Sequence, residues 1–97
     1  VTKSVSVIMS VYNEENTVHK VLSKLKNLDY INEIIVVDNG STDETARIAI
    51  ENGARVVKEP KKGYGAACLK GIEELDASSL NIRHLAGWND IDIFAHS

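Results

Sequence analysis

Ile34-Ile35-Val36-Val37-Asp38-Asn39-Gly40-Ser41-Thr42-Asp43-Glu44-Thr45 is the stretch that decides how this chain folds. Its β-branched run suits a strand covered on both faces, because a strand with one wet side alternates apolar and polar residues. The run stops in a polar turn, after which Ser41 and Glu44 have the spacing of a capping box. Ala46, Ile48, Ala49 and Ile50 then supply apolar positions for a helix, and Gly53 stands where a helix stops. The same alternation repeats outward in both directions. On the amino side, Val5-Ser6-Val7-Ile8-Met9-Ser10-Val11 reads as another buried parallel strand. Asn13-Glu14-Glu15-Asn16 follows as a capping residue with acids in a first turn. Val18, Val21, Leu22, Leu25 and Leu28 then recur at helical spacing, which predicts a helix ending near Asn27. On the carboxyl side, Ala54-Arg55-Val56-Val57-Lys58 is a shorter strand, closed by Pro60 and the loop Lys61-Lys62-Gly63-Tyr64-Gly65, with a third helix from about Ala66 to Leu75.

Strands and helices in strict alternation with short connections predict an α/β fold, a parallel sheet built from right-handed crossovers. Strand order 3-2-1 then puts the first two helices on one face and the third on the other. Ligands of such sheets bind outside the carboxyl ends of the strands. Three polar loops belong to that edge: Tyr12 to Glu15, Asp38 to Asp43 and Lys61 to Gly65. From Asp76 the pattern degrades, and Leu80 to Ser97 keeps no sustained period of either kind. The expected organisation is a single domain over residues 1–97, with a βαβαβα unit at 4–75 and a divergent tail at 76–97. Ile91-Asp92-Ile93-Phe94 is the candidate fourth strand that would cover the first. Without such cover the first strand is an open edge, which predicts a homo-oligomer.

Composition narrows the function classes. The 97 residues are 26% charged and 43% hydrophobic, in keeping with one small globular domain and not with a collagen, a coiled coil or a disordered chain. A net charge of -3 and 5% aromatic residues argue against a nucleic-acid partner. Cys68 has no second cysteine for an internal disulfide, which fits a reducing compartment. No apolar run approaches the roughly 20 residues of a membrane span, and Val1-Thr2-Lys3-Ser4 does not open a signal peptide. A cytoplasmic location is expected.

Met9-Ser10-Val11-Tyr12-Asn13-Glu14-Glu15, the stretch from Ile34 to Thr45, and Lys62-Gly63-Tyr64-Gly65-Ala66-Ala67 together resemble the start of a family 2 glycosyltransferase. The resemblance runs from about Ser4 to Leu75 and rests on three motifs in the right order on the right elements. It implies a three-layer, Rossmann-like GT-A nucleotide-binding half that holds a UDP- or GDP-sugar. The Gly63-Tyr64-Gly65 form resembles members acting on dolichyl or polyprenyl phosphate, or on other small acceptors. Such enzymes transfer the sugar to an acceptor with inversion, using a carboxylate general base.

The residues bear this chemistry individually. Tyr12 offers a flat ring to a nucleobase, with Asn13 and Glu14 in reach of a base edge or ribose hydroxyl; the same residues suit a helix start with Tyr12 as a packing staple. Ser10 stands where relatives often have proline. Asp38, at the end of a buried strand, can accept the ring N–H of uracil or guanine, and by resemblance it is the base-recognising acid. Asn39, itself a candidate substrate-binding residue, replaces a second acid common in relatives, which moves weight onto Asp38 and leaves the base open. Asp43, Ser41 and Thr42 serve equally as helix-start residues or as contacts. Lys62, Gly63 and Gly65 form a basic loop at a helix N-terminus, suited to phosphate or ribose oxygens and also to an ordinary turn. It is neither a dinucleotide fingerprint nor a Walker loop. Cys68 reads as packing, and His19, His84 and His96 as solvated or locally packed.

The family's metal, Mg or Mn, is held by an Asp-x-Asp pair at the end of a fourth strand. Asp90-Ile91-Asp92 has that form, although Leu80 to Trp88 precedes it where an apolar strand is expected. No residue here is nominated as general base. The tail's departure from the family pattern suggests a truncated, frameshifted or divergent product, so this chain alone is expected to fall short of sugar transfer. The readings are therefore the nucleotide-sugar-binding half of a glycosyltransferase, or a truncated, non-catalytic nucleotide-binding or interaction module. A Rossmann-like regulatory domain stands third.

Overall fold

The computed structural model describes residues 5–75, 82–88 and 91–96. Along the chain these form β1 (Val5–Val11), α1 (Val18–Lys26), β2 (Ile31–Asp38), α2 (Thr45–Glu51), β3 (Arg55–Lys58), α3 (Tyr64–Leu75), β4 (Ile82–Trp88) and β5 (Ile91–His96). Among the described residues the strands make one five-stranded sheet in the order β3-β2-β1-β5-β4. β1, β2 and β3 pair in parallel, as the alternation predicts, while β5 runs antiparallel to both β1 and β4.

Layers on both faces account for the unbroken apolar runs. Val7, Met9 and Val11 of β1 and Ile34 and Val36 of β2 pack with Val18, Val21, Leu22 and Leu25 of α1 and with Ala49 of α2. The intervening Ile8, Ile35 and Val37 turn to the opposite face, onto Ala67, Cys68 and Ile72 of α3. This split of helices is the one that right-handed crossovers in a 3-2-1 order require. Burial pushes the Cys68 thiol above its usual range, away from the thiolate a nucleophile needs, in keeping with a packing role.

The helix ends fall where the sequence puts them. Leu28 continues the apolar spacing of α1, but the helix ends at Lys26 with Asn27 as its C-cap, and Leu28 is 38% exposed. Gly53, beyond the C-cap Asn52 of α2, takes φ +86, the left-handed conformation that favours glycine. The helix starts differ from expectation. α1 begins behind Thr17 and α2 behind Glu44, neither with a side-chain capping bond, so the expected caps at Asn13 and Ser41 do not form. Both side chains are engaged instead in joining one loop to another.

Pairing places the tail where periodicity fails. A register shift between His84 and Ala86 breaks the alternation of β4, and β5 lies on β1 with Ile93 opposite Met9. Ile93 is 4% exposed and enters the core under α1 and α2. β1 is thereby interior, covered by the tail strand that the sequence offered as the alternative to an open edge, and the outer strands are β3 and β4.

At Gly71, α3 lies close against Ile8 of β1. A Cβ there would fall well inside contact range of Ile8 Cγ2 and 3.3 Å from its Cδ1. Gly71→Ala improves helix propensity by about 1 kcal/mol, yet overpacking against a buried isoleucine costs about 1–3 kcal/mol. The expected result is a lower urea midpoint at unchanged m-value; a raised midpoint contradicts the contact. Ile93→Ala is expected to cost about 2–5 kcal/mol, as for a core isoleucine. Unchanged stability of that variant in the same titration contradicts the pairing of β5 with β1.

Candidate functional site

Register brings the carboxyl ends of the parallel strands level. Val11 of β1 lies opposite Asp38 of β2, and Asp38 opposite Lys58 of β3. The three loops that follow therefore leave the sheet together, at the edge where α/β sheets bind ligands.

The first two loops are zipped to each other. Ser41 Oγ accepts the Asn13 N–H at 2.8 Å, and Asn13 Oδ1 accepts the Thr42 N–H at 2.8 Å. Thr45 Oγ1 accepts the Glu14 N–H at 2.8 Å, Asp43 Oδ2 the Glu15 N–H at 3.3 Å, and Glu15 Oε2 the Glu44 N–H at 3.1 Å. Asn13 reaches this position with φ +50, a left-handed conformation that asparagine tolerates better than most residues. Thr45 is fully buried in the joint. Burial pushes the Asp43 carboxyl up, but the hydroxyl and N–H of Thr45 and the N–H of Glu15 outweigh it and hold the group below the usual carboxylate range. A carboxylate depressed in this way stabilises the fold above its unfolded value, and loses that contribution as pH falls through the lower folded value. The Asp43 contribution to the joint is thus present at neutral pH and is lost in acid.

Asp38 is 3% exposed, and its Oδ1 accepts the Ser41 N–H at 2.9 Å across a turn in which Gly40 takes φ +93. An ionised carboxylate has about four lone-pair sites, so this bond leaves capacity for a ligand donor. Asp38 lines a cleft of about 350 Å3 with Gly40, Ser41, Lys58, Glu59 and Pro60. Asn39 ties the second loop to the third: its Nδ2 donates to the carbonyls of Glu59 and Lys61, and its Oδ1 accepts the Gly63 N–H. The third loop returns to the first through Lys62, whose Nζ lies 5.2 Å from the centroid of the Tyr12 ring, within cation–π range.

The sequence candidates therefore separate. Tyr12, Asp38 and Lys62 face this edge, Tyr12 with 48% of its surface exposed. Glu14 folds its carboxylate back to accept the Thr17 hydroxyl at 2.9 Å. Gly63 is held by Asn39 at φ +122, and Gly65 lies in the first turn of α3 with open space beside it. His19 is exposed, its Nδ1 2.9 Å from Asn52 Oδ1. Sequence reasoning missed Lys58, Glu59 and Pro60 as cleft residues and Thr45 as the buried joint. The parallel order alone would have set Lys58 beside Asp38; the role of Thr45 depends on the first loop crossing over it.

Asp92 of the Asp-x-Asp pair reaches the same edge by a different route. Asp92 stands opposite Ser10, one residue before the level of Val11 and Asp38, and it opens an antiparallel strand instead of closing a parallel one. Asp90 lies outside the described residues. Among the described residues no three His, Cys, Asp or Glu side chains gather as a metal site. A Mg or Mn ion bound with a diphosphate needs only one or two protein carboxylates, the phosphates supplying further oxygens, so a single aspartate pair fits that chemistry. Among these residues no helix is long and apolar enough to cross a membrane.

The family model for glycosyl transferase family 2 matches residues 6–78. An uncharacterized glycosyltransferase of Mycobacterium tuberculosis is 42% identical over 69 residues, covering 71% of this chain and 30% of that protein. A dolichyl-phosphate hexose transferase of Haloferax volcanii is 41% identical over 63 residues, covering 64% of this chain and 27% of its own length. The crystal structure of glucosyl-3-phosphoglycerate synthase from M. tuberculosis with Mn2+, UDP-glucose and phosphoglyceric acid superposes with a TM-score of 0.63 at 36% identity, over 79% of this chain and 30% of that one. The same enzyme is also solved with Mg2+ and UDP. The chain thus spans about 30% of the length of these relatives. With the family's pattern matched across most of the chain and the solved relatives' GT-A arrangement present in its parallel strands, the chain belongs to glycosyl transferase family 2.

Proposed function

We propose that the three-loop edge holds the nucleotide of a nucleoside-diphosphate sugar, with UDP the first choice, for transfer to an acceptor by the whole glycosyltransferase. The observation that carries this reading is the meeting of three groups at one level of the sheet: a buried carboxylate lining a cleft, an exposed aromatic ring, and a lysine drawn over that ring. Each suits a different part of the ligand. Asp38 accepts the base N–H, Tyr12 stacks on the base, and Lys62 with the N-terminal amides of α3 meets the phosphates. No described residue crowds a Cβ at Gly65, and a close-lying phosphate or ribose is the reason we assign to glycine there. Glu14 contributes through its loop and, once released from Thr17, through a ribose hydroxyl.

The relatives solved with UDP support uridine over guanosine, and the dolichyl-phosphate hexose transferase supports a lipid-phosphate acceptor as one candidate class. Asp92, with Asp90 two residues before it, is where this chain would hold a divalent cation, which when bound neutralises the diphosphate leaving group. A lone thiol half-buried against the sheet suits a reducing, cytoplasmic setting. Association with a second copy would fall on the outer strands β3 and β4.

Calorimetry with UDP tests the reading. Saturable binding is expected, and Asp38→Ala should weaken it about tenfold to a hundredfold, the cost of a charge-assisted hydrogen bond worth about 1.5–3 kcal/mol. Equal affinity of the variant and the parent rules out Asp38 as the base acceptor. Manganese is expected to tighten UDP binding, EDTA to reverse this, and Asp92→Ala to remove the metal response while metal-free binding persists. A full manganese response in that variant removes Asp92 from the account.

A further inference from the structure

We infer that Asn39 is a positioning residue, which sets the basic loop for the diphosphate through Gly63 and Lys62 without itself touching the ligand; the inference rests on the nucleotide reading above. A carboxamide has two N–H donors and a carbonyl acceptor in one plane. At Asn39 all of these functions are directed at a single segment. Nδ2 donates to the Glu59 carbonyl at 2.8 Å and to the Lys61 carbonyl at 2.9 Å, and Oδ1 accepts the Gly63 N–H at 3.1 Å. The residue is 9% exposed, and its own N–H donates to the Val11 carbonyl at 2.9 Å, so the clamp is anchored on β1.

The clamp determines how the chain enters α3. Gly63, fixed at its N–H, takes φ +122 and offers its carbonyl to the Ala67 N–H at 3.2 Å, so the helix begins directly behind the clamped point. Lys62, flanked by the bonded Lys61 carbonyl and Gly63 N–H, is thereby fixed with its ammonium over Tyr12. An aspartate at position 39 would present a carboxylate to two carbonyl oxygens and has no proton to donate to either. The geometry thus calls for an amide at position 39, whichever base the site accepts.

The test uses the full chain with Asn39→Ala and Asn39→Asp, read by hydrogen exchange at the Gly63 amide and by calorimetry with UDP and with uridine. Gly63 should exchange at least tenfold faster in both variants, while the amides of β1 and β2 keep their protection. UDP affinity should fall about tenfold and uridine affinity less than twofold, since the loop serves the phosphates and Asp38 the base. In a Lys62→Ala background the Asn39 substitutions should cost UDP binding less than they do in the parent, since only the share carried by Gly63 and the N-terminal amides of α3 is left to lose. Unchanged Gly63 exchange in folded variants overturns the clamp, and equal losses for UDP and uridine overturn the positioning role. If neither variant folds, the parent decides: a Gly63 amide that exchanges at the rate of an unstructured peptide overturns the clamp, and a protected one supports it. A parent that binds neither ligand overturns the nucleotide reading, and with it the role assigned to the loop; Gly63 exchange, which needs no ligand, distinguishes that failure from failure of the clamp.

Discussion

Parallel pairing of β2 with β1 on one side and β3 on the other is the constraint from which the site follows. β2 is hydrogen-bonded along both edges and covered on both faces, with Ile34 and Val36 under α1 and α2 and with Ile35 and Val37 under α3. A slip of one residue would exchange those faces. It would also take Asp38 out of line with Val11 and Lys58, so that the loops no longer left the sheet at one level. Core packing and site geometry are therefore fixed by the same register.

What the register begins, side-chain bonds complete. Asn13, Ser41, Thr42, Asp43 and Thr45 close the first loop onto the second, and Asn39 closes the second onto the third. Fixing the backbone of a loop residue costs about 1–2 kcal/mol, and here that ordering belongs to folding, leaving more of the contact energy available for a ligand. The residues divide accordingly. Those at the joints bond their polar groups to the neighbouring loop, while Tyr12, Asp38 and Lys62 face the edge where the nucleotide is proposed to lie.

The parallel part of the fold was legible because β-branched runs, polar turns and a C-terminal glycine each carry a local signal, as at Ile34 to Val37 and at Gly53. The helix starts were not. Asn13 and Ser41 have the chemistry of caps, and only the meeting of two loops, 28 residues apart in sequence, shows that they bond to each other's loop. The end of α1 near Asn27 was legible, although Leu28 keeps the apolar period beyond it. β5 was offered as Ile91 to Phe94, whereas β4 was hidden, because the shift between His84 and Ala86 disrupts the alternation that marks a strand. At the site, Asp38, Tyr12 and Lys62 could be proposed from residue type and position. The role of Asn39 could not, because it depends on three backbone atoms that only the folded third loop brings within reach.

The central claim is that three loops, far apart in sequence, form one nucleotide site. Backbone amide shifts recorded by NMR during titration with UDP and manganese test it most directly. The account predicts saturable shifts concentrated at residues 12–15, 38–43 and 61–66, with the opposite end of the sheet around Lys26 to Ile34 unmoved. Shifts gathered at that opposite end, or none at all at saturating UDP, would contradict it.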